Sequence, residues 1–168
     1  VDPHTGEVKA WVGGTNFKYF KYDHVTSRRQ VGSTFKPFVY ATAIALQGIS
    51  PCNEFQDIQY TIPANDPNFN LPEAWSPGNA VESFTGANLN LYKALALSKN
   101  SITVKLVILL GSVEPIRGLL HNMGIDSSLR RRDGGYLIPK FPSIVLGSSD
   151  LSVFEMTGAY TTFSNNGV

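Results

Sequence analysis

The stretch "RRQVGSTFKPFVYATAIALQG", residues 28–48, decides how the chain is read. From 37 to 47 apolar and small residues dominate, and Gly48 with Ser50-Pro51 beyond it supplies a stop, so the segment predicts a mostly buried helix. Gly32 and Ser33 lead into that helix, and Lys36 falls one turn inside it. Ser33 can be a capping serine before an ordinary lysine, or the pair can be chemical. A serine hydroxyl needs a base to take its proton as it attacks a carbonyl. A lysine serves when burial or a nearby positive charge disfavours its ammonium form. Three residues apart at a helix start, both side chains share one face, and the helix N-terminus favours negative charge developing beside the serine. Ser-x-x-Lys should occur by chance roughly once in a chain of this length. This one lies in a segment otherwise apolar over 31–46, which places its ammonium near the core, where lysines are rarely found idle.

Outward from this segment, the flanks give a mixed pattern. The opening "VDPHTGEVKAWVGG" reads as a β-hairpin with a Thr-Gly turn, its first arm almost absent. Residues 14–32 read as a loop. The 51–87 stretch holds five prolines and many Asn and Asp residues, and predicts an irregular excursion with a short strand at 58–62. Loops of that length are uncommon unless they serve a site. Asn88 is placed to cap a helix over 89–97, a second helix follows over 101–110 and stops at Gly111, and Ser112 with Pro115 begins a third that ends near Gly124. Leu151, Phe154, Tyr160 and Phe163 predict a last helix before "SNNG".

Ser98 and Asn100 of "ALSKNS" fall in the joint between two of these helices, where both side chains can face a cleft. Ser98 could relay a proton and Asn100 could bind an amide, although a helix end followed by a cap explains the same residues. Ser164-Asn165-Asn166 also fits Ser-x-Asn, so the short pattern carries little by itself.

The bulk composition excludes several classes. With 168 residues and 42% hydrophobic content, the chain can bury one core, and a net charge of +1 gives no footprint for nucleic acid. The Arg130-Arg131-Arg132 run reads as a solvated turn. The single cysteine, Cys52, excludes an internal disulfide, and the scattered His4, His24 and His121 lack metal-ligand spacing. The longest apolar run, "ITVKLVILLG" from Ile102, is too short to span a bilayer.

Order and context add to the motifs. "RRQVGSTFKPFVYA", then "WSPGNAVESFTGANLNLYKALALSKNS", then "PSIVLGSSDLSVFEMTGAYTTFSNNG", preceded by "VDPHTGEVKAWVGG", resemble the transpeptidase domain of bifunctional, class A penicillin-binding proteins over nearly the whole chain. The resemblance implies an α+β fold, the mainly helical core of a penicillin-binding-protein or serine β-lactamase-like transpeptidase, with an incomplete antiparallel sheet. It implies Ser33 as the nucleophile, Lys36 as its base, Ser98 in proton transfer and Asn100 on the substrate amide. The Ser33 backbone N–H would be half of the oxyanion hole, and the segment from Trp75 to Asn79 would line the cleft.

The implied partners are peptidoglycan stem peptides ending in D-Ala-D-Ala and β-lactam antibiotics, with no metal or organic cofactor. Chemistry is expected outside the cytoplasmic membrane, in the periplasm, with any membrane contact through an upstream anchor next to a glycosyltransferase domain. A hydrolase of the same fold, either a D,D-carboxypeptidase or a β-lactamase, is an alternative, as is an inactive structural piece. Val31 stands where the family often has proline, and no Lys-Thr-Gly occurs in the sequence. Residues 1–168 are therefore expected to be a single partial transpeptidase domain, truncated at both ends, slow to be acylated and able to dimerise through unpaired sheet edges.

Overall fold

A computed structural model describes residues 1–16, 18–19, 21–80 and 83–167, so the loop readings at 17, 20, 81 and 82 lie outside it. The elements run β1 (Arg29–Gln30), a 3₁₀ turn (Gly32–Phe35), α1 (Lys36–Gln47), β2 (Glu54–Gln56), β3 (Asn88–Asn90), α2 (Leu91–Ala96), α3 (Asn100–Leu110) and α4 (Glu114–Asn122). A second 3₁₀ turn (Pro142–Leu146), β4 (Asp150–Leu151) and α5 (Val153–Ser164) complete the order. The fold is the expected α+β arrangement, mostly helical, with two small antiparallel pairs, β1 with β4 and β2 with β3.

α1 is the centre of the molecule. Pro37 sits in its first turn, where the missing N–H is not needed, and Gly48 ends it with a left-handed φ of 61°. Phe38, Val39, Thr42 and Ala43 bury one face against α3 and α4. α3 is apolar on most sides, with Ile102, Val104, Leu106 and Val107 buried, because it is covered by α1, by β2 and by the turn at Pro142–Leu146. Phe35 and Phe38, fully buried on either side of Lys36, each contribute about 2–3 kcal/mol of transfer free energy and fix where the helix begins.

Several boundaries differ from expectation. The opening segment forms a turn closed by Asp2 and Glu7 (Asp2 N to Glu7 O, 2.9 Å) but no strand, since no partner strand lies beside it among the described residues. Trp11 instead packs on Phe154 of α5 (ring centroids 5.7 Å apart) and donates its Nε1–H to Asp23 (3.0 Å). The strand expected at 58–62 lies earlier, at β2, and Ile62 makes a single bridge to Trp75. Asn88 is the first residue of β3 rather than a cap; Asn90 takes that role and accepts from the Lys93 N–H at 2.9 Å. The two-residue β1 was not expected inside a loop, and it exists only because β4, far along the chain, lies against it. The later helices stand close to where expected: Gly111 ends α3, Ser112 accepts from the Glu114 N–H (3.1 Å) at the start of α4, and Ser152 with Glu155 forms a reciprocal cap on α5.

Candidate active site

Lys36, the first residue of α1, is 1% exposed. Its Nζ donates to three oxygens from one short stretch: the Ser98 carbonyl (2.5 Å), Ser98 Oγ (3.0 Å) and Asn100 Oδ1 (2.7 Å). Burial pushes the Lys36 amine down from 10.5 to about 8. An ammonium fills all three contacts with its three N–H bonds. A neutral amine has two N–H bonds for the carbonyl and the amide oxygen, which can only accept, and its lone pair is then free to take the Ser98 hydroxyl proton. The geometry thus suits an amine that passes a proton to and from Ser98.

Ser98 occupies the joint between α2 and α3 with φ 54°, the left-handed conformation that a non-glycine residue adopts at a cost of about 1–3 kcal/mol. The Ser98 N–H bonds the Leu95 carbonyl (2.9 Å) and the Lys99 N–H bonds the Ala94 carbonyl (2.9 Å), so the joint is closed by its own backbone. Asn100 is oriented at both ends of its amide: Oδ1 faces Lys36, and Nδ2 donates to the Gly78 carbonyl at 2.8 Å.

Ser33 is exposed, within the 3₁₀ turn that runs into α1. A cap was one reading of this serine, but its hydroxyl caps nothing; Thr34 supplies the local bond instead, to the Val31 carbonyl (2.6 Å). Among the described residues the Ser33 hydroxyl makes no hydrogen bond, to Lys36 or to any other group, and no backbone bond uses its N–H. Ser33 and Ser98 line one cavity of about 500 Å³, together with Asn79, Ala80, Ala96, Leu97 and Lys99. The structure therefore pairs Lys36 with Ser98 and Asn100 and leaves Ser33 on the cavity lining as an unpaired hydroxyl with a free N–H. Catalytic hydrogen bonds often tighten only when substrate arrives.

The two expected cleft residues divide, one away from the cavity and one on it. Trp75 is not on the cavity wall; it exchanges backbone bonds with Ile62 (2.9 and 2.8 Å) and packs on the core, because that bridge turns its ring inward. Asn79 lines the cavity, but its amide already serves the protein: Oδ1 accepts the N–H groups of Asn100 (2.9 Å) and Ser101 (3.2 Å), the free donors at the start of α3.

The groups that hold Ser33 in place carry no sequence signal of their own. The Gly32 N–H bonds the Gly147 carbonyl (3.1 Å), the Val31 N–H bonds the Ser149 carbonyl (3.2 Å), and the Tyr160 hydroxyl donates to the Thr34 carbonyl (2.7 Å). Gly147 has φ 80°, and a Cβ there would lie 1.9 Å from the Gly32 carbonyl oxygen, so only glycine permits this approach. Arg28, just before β1, pairs with Glu155 of α5 at 2.6 Å. Burial alone would raise the Glu155 carboxyl, but bonds from Arg28 and Ser152 outweigh it and hold the group below its ordinary value.

Known proteins agree with this architecture. The family model described as the penicillin binding protein transpeptidase domain matches residues 1–168, and the chain belongs to that family. It is 30% identical over 168 residues to penicillin-binding protein 1A of Neisseria meningitidis, a match that covers 99% of this chain and 19% of that protein. Among solved structures, penicillin-binding protein 1A of Haemophilus influenzae superposes with a TM-score of 0.73 at 27% identity, over 92% of this chain and 21% of that one. Penicillin-binding protein A of M. tuberculosis, solved as an imipenem acyl-enzyme complex, shares the fold with a TM-score of 0.62 at 20% identity, over 86% of this chain and 34% of that one. The chain spans about a fifth of the length of the curated relatives it matches. No helix among the described residues is long and apolar enough to cross a membrane, and no cluster of three metal-ligating side chains occurs among them.

Proposed function

We propose that this chain carries the acylating serine and the proton-handling groups of a serine D,D-transpeptidase that cross-links peptidoglycan stem peptides. The carrying observation is the buried Lys36 amine, bonded to Asn100 and to Ser98, which lines the same cavity as Ser33. In this reading Ser33 Oγ attacks the carbonyl carbon of the terminal D-Ala-D-Ala amide. The hydroxyl proton passes to neutral Lys36, the Oγ–C bond forms, and the developing oxyanion takes a hydrogen bond from the Ser33 N–H. The C–N bond then breaks as a proton travels from Lys36 through Ser98 to the departing D-Ala nitrogen. An amine of a second stem peptide attacks the ester, its proton returns by the same route, and Ser33 is released.

A β-lactam follows the first half of this course: its ring amide opens on Ser33 and the leaving nitrogen stays tethered. The acyl-enzyme structure of the M. tuberculosis relative supports that reading by fold. The whole protein would act at the outer face of the cytoplasmic membrane, held by an anchor and joined to a glycosyltransferase domain. Association through sheet edges has little to use, since the described strands are two or three residues long.

The test is labelling by a fluorescent penicillin in a protein of the relatives' length that carries this chain. One label should be found on the peptide containing Ser33, and its rate should rise with pH to half its maximum near 8, where Lys36 loses its proton. Label on another residue, or a rate flat between pH 6 and 10, would refute the assignment.

A further inference from the structure

The acyl-transfer steps leave unused a fully buried and heavily bonded carboxylate. Asp57 follows β2 and is 0% exposed. Its Oδ1 accepts from Ser101 Oγ (2.6 Å) and Asn79 Nδ2 (3.0 Å). Its Oδ2 accepts from the Thr85 N–H (3.2 Å) and Oγ1 (2.9 Å) and pairs with Lys99 Nζ (3.2 Å). The backbone of Asp57 is tied as well, its N–H to the Ala87 carbonyl (2.8 Å) and its carbonyl to the Gly86 N–H (2.9 Å). Burial alone would push the carboxyl up, but the bonds from Ser101, Asn79 and Thr85 outweigh it and keep the group ionised.

The identity of these partners is what matters. Lys99 and Ser101 are the two chain neighbours of Asn100, so one fixed carboxylate holds the side chains on both sides of that residue. The third partner, Asn79, has its other amide end on the Asn100 and Ser101 N–H groups. Gly78, next to Asn79, supplies the carbonyl that orients the Asn100 amide. With Nδ2 held there, Asn100 must turn Oδ1 to Lys36; without it, the amide can rotate and present N–H to N–H. A buried ion pair adds little net stability against its desolvation cost, so stability alone is a weak reason for an acid at this site.

We propose that Asp57 is a positioning residue of the acyl-transfer site: through Asn79, Lys99 and Ser101 it fixes the Asn100 amide, and through that amide the Lys36 amine, in the arrangement that acylation requires. The inference rests on the function proposed above. It makes Asp57 a determinant of the chemical step rather than of β-lactam binding, because its bonds converge on the groups that hold Asn100 and none of them reaches Ser33.

The experiment compares wild type with Asp57→Asn, Ser101→Ala and Asn79→Ala in a protein of the relatives' length carrying this chain, and Ser33→Ala is the control. Stopped-flow labelling with a fluorescent penicillin separates the acylation rate constant at saturation from the pre-acylation binding constant. An amide at 57 keeps the shape but turns N–H toward donors on one side. It should lower the saturating rate about tenfold to a hundredfold while binding changes less than about twofold. Adding Asp57→Asn to Asn79→Ala should bring little further loss, as expected of two residues acting in one chain of contacts. If Asp57→Asn does not fold, Ser101→Ala decides, since it removes one bond and should slow acylation about threefold or more. A saturating rate within about twofold of wild type in the folded Asp57→Asn protein would overturn the proposal, as would independent, multiplying losses or a normal Ser101→Ala. If Ser33→Ala labels like wild type, the functional reading itself is wrong and the role of Asp57 falls with it.

Discussion

The two walls of the site are built in opposite ways. On one, Lys36 is buried, satisfied by three oxygens and backed by α1 and α3. On the other, Ser33 is exposed and its hydroxyl unbonded, and the turn that holds it rests on backbone contacts to Gly147 and Ser149 and on the Tyr160 hydroxyl. Behind that turn lies an open groove of about 590 Å³ lined by residues such as Val31, Leu151 and Tyr160. The Lys36 wall is core, held by close packing. The Ser33 wall is surface, fixed by a few bonds, so under the proposed function the site divides into a part whose loss disturbs folding energetics and a part whose loss disturbs only chemistry.

The largest effect separates the walls at once. Ser33→Ala should abolish covalent penicillin labelling while changing unfolding free energy by no more than about 0.5 kcal/mol, the usual range for an exposed, unbonded side chain. Denaturant melts beside labelling gels check both halves. A large stability loss would mean that the hydroxyl is structural after all.

Lys36→Met comes next and should behave in the opposite sense on stability. Loss of a general base costs about a hundredfold to ten-thousandfold in acylation rate. The folded amine titrates at about 8 and the unfolded one at 10.5. Below 8 both states are charged and the fold carries the full burial penalty. Between 8 and 10.5 the unfolded chain holds a proton that the folded chain has lost, so wild-type stability rises with pH, by about 3 kcal/mol in all. Above 10.5 the penalty is gone. The methionine variant should lack this rise, and denaturant midpoints at pH 7 and pH 10 measure it; a rise of equal size in the variant would assign it to another group.

This division also explains what could be read from sequence. The Lys36 wall was legible because its signals are local: an apolar run broken by Lys36, the stops at Gly48 and Gly111, and a helix joint at Ser98 and Asn100. The Ser33 wall was legible in Ser33 and not in its supports. β1 and β4 are two residues each and pair across 120 positions, and the Gly147 contact with Gly32 has no periodicity to announce it. Asn79 was visible as part of the segment expected to line the cleft, but its orientation depends on Asp57 and on the start of α3, which only the folded chain brings together. Asn88 and Asn90 are equally good caps in isolation; pairing with β2 takes the first and leaves the second.

Gly147→Ala tests whether backbone contact alone positions Ser33. The added methyl would meet the Gly32 carbonyl oxygen and occupy a left-handed φ of 80°, so the turn at Pro142–Leu146 and the turn at Gly32–Phe35 must separate. We expect a stability loss of about 1–3 kcal/mol and acylation slower by more than about tenfold, with the pH midpoint near 8 kept because the Lys36 wall is untouched. A shifted midpoint would show that the two walls are coupled.

Tyr160→Phe is the mildest of the four and the finest probe of the same wall. The variant removes the 2.7 Å bond to the Thr34 carbonyl but keeps the ring, which packs edge-on against Phe38 (5.3 Å) and Phe163 (5.7 Å). The Thr34 carbonyl stays open to water, so the loss should be that of one ordinary bond, about 0.5–1.5 kcal/mol. Acylation should fall less than about threefold, because the Gly32–Gly147 and Val31–Ser149 contacts still fix the turn from the other side. Labelling rates for this variant, for Gly147→Ala and for the pair together decide the point. If Tyr160→Phe alone slows acylation as much as Gly147→Ala, then α5 rather than the glycine contact holds Ser33, and the exposed wall is built on a helix after all.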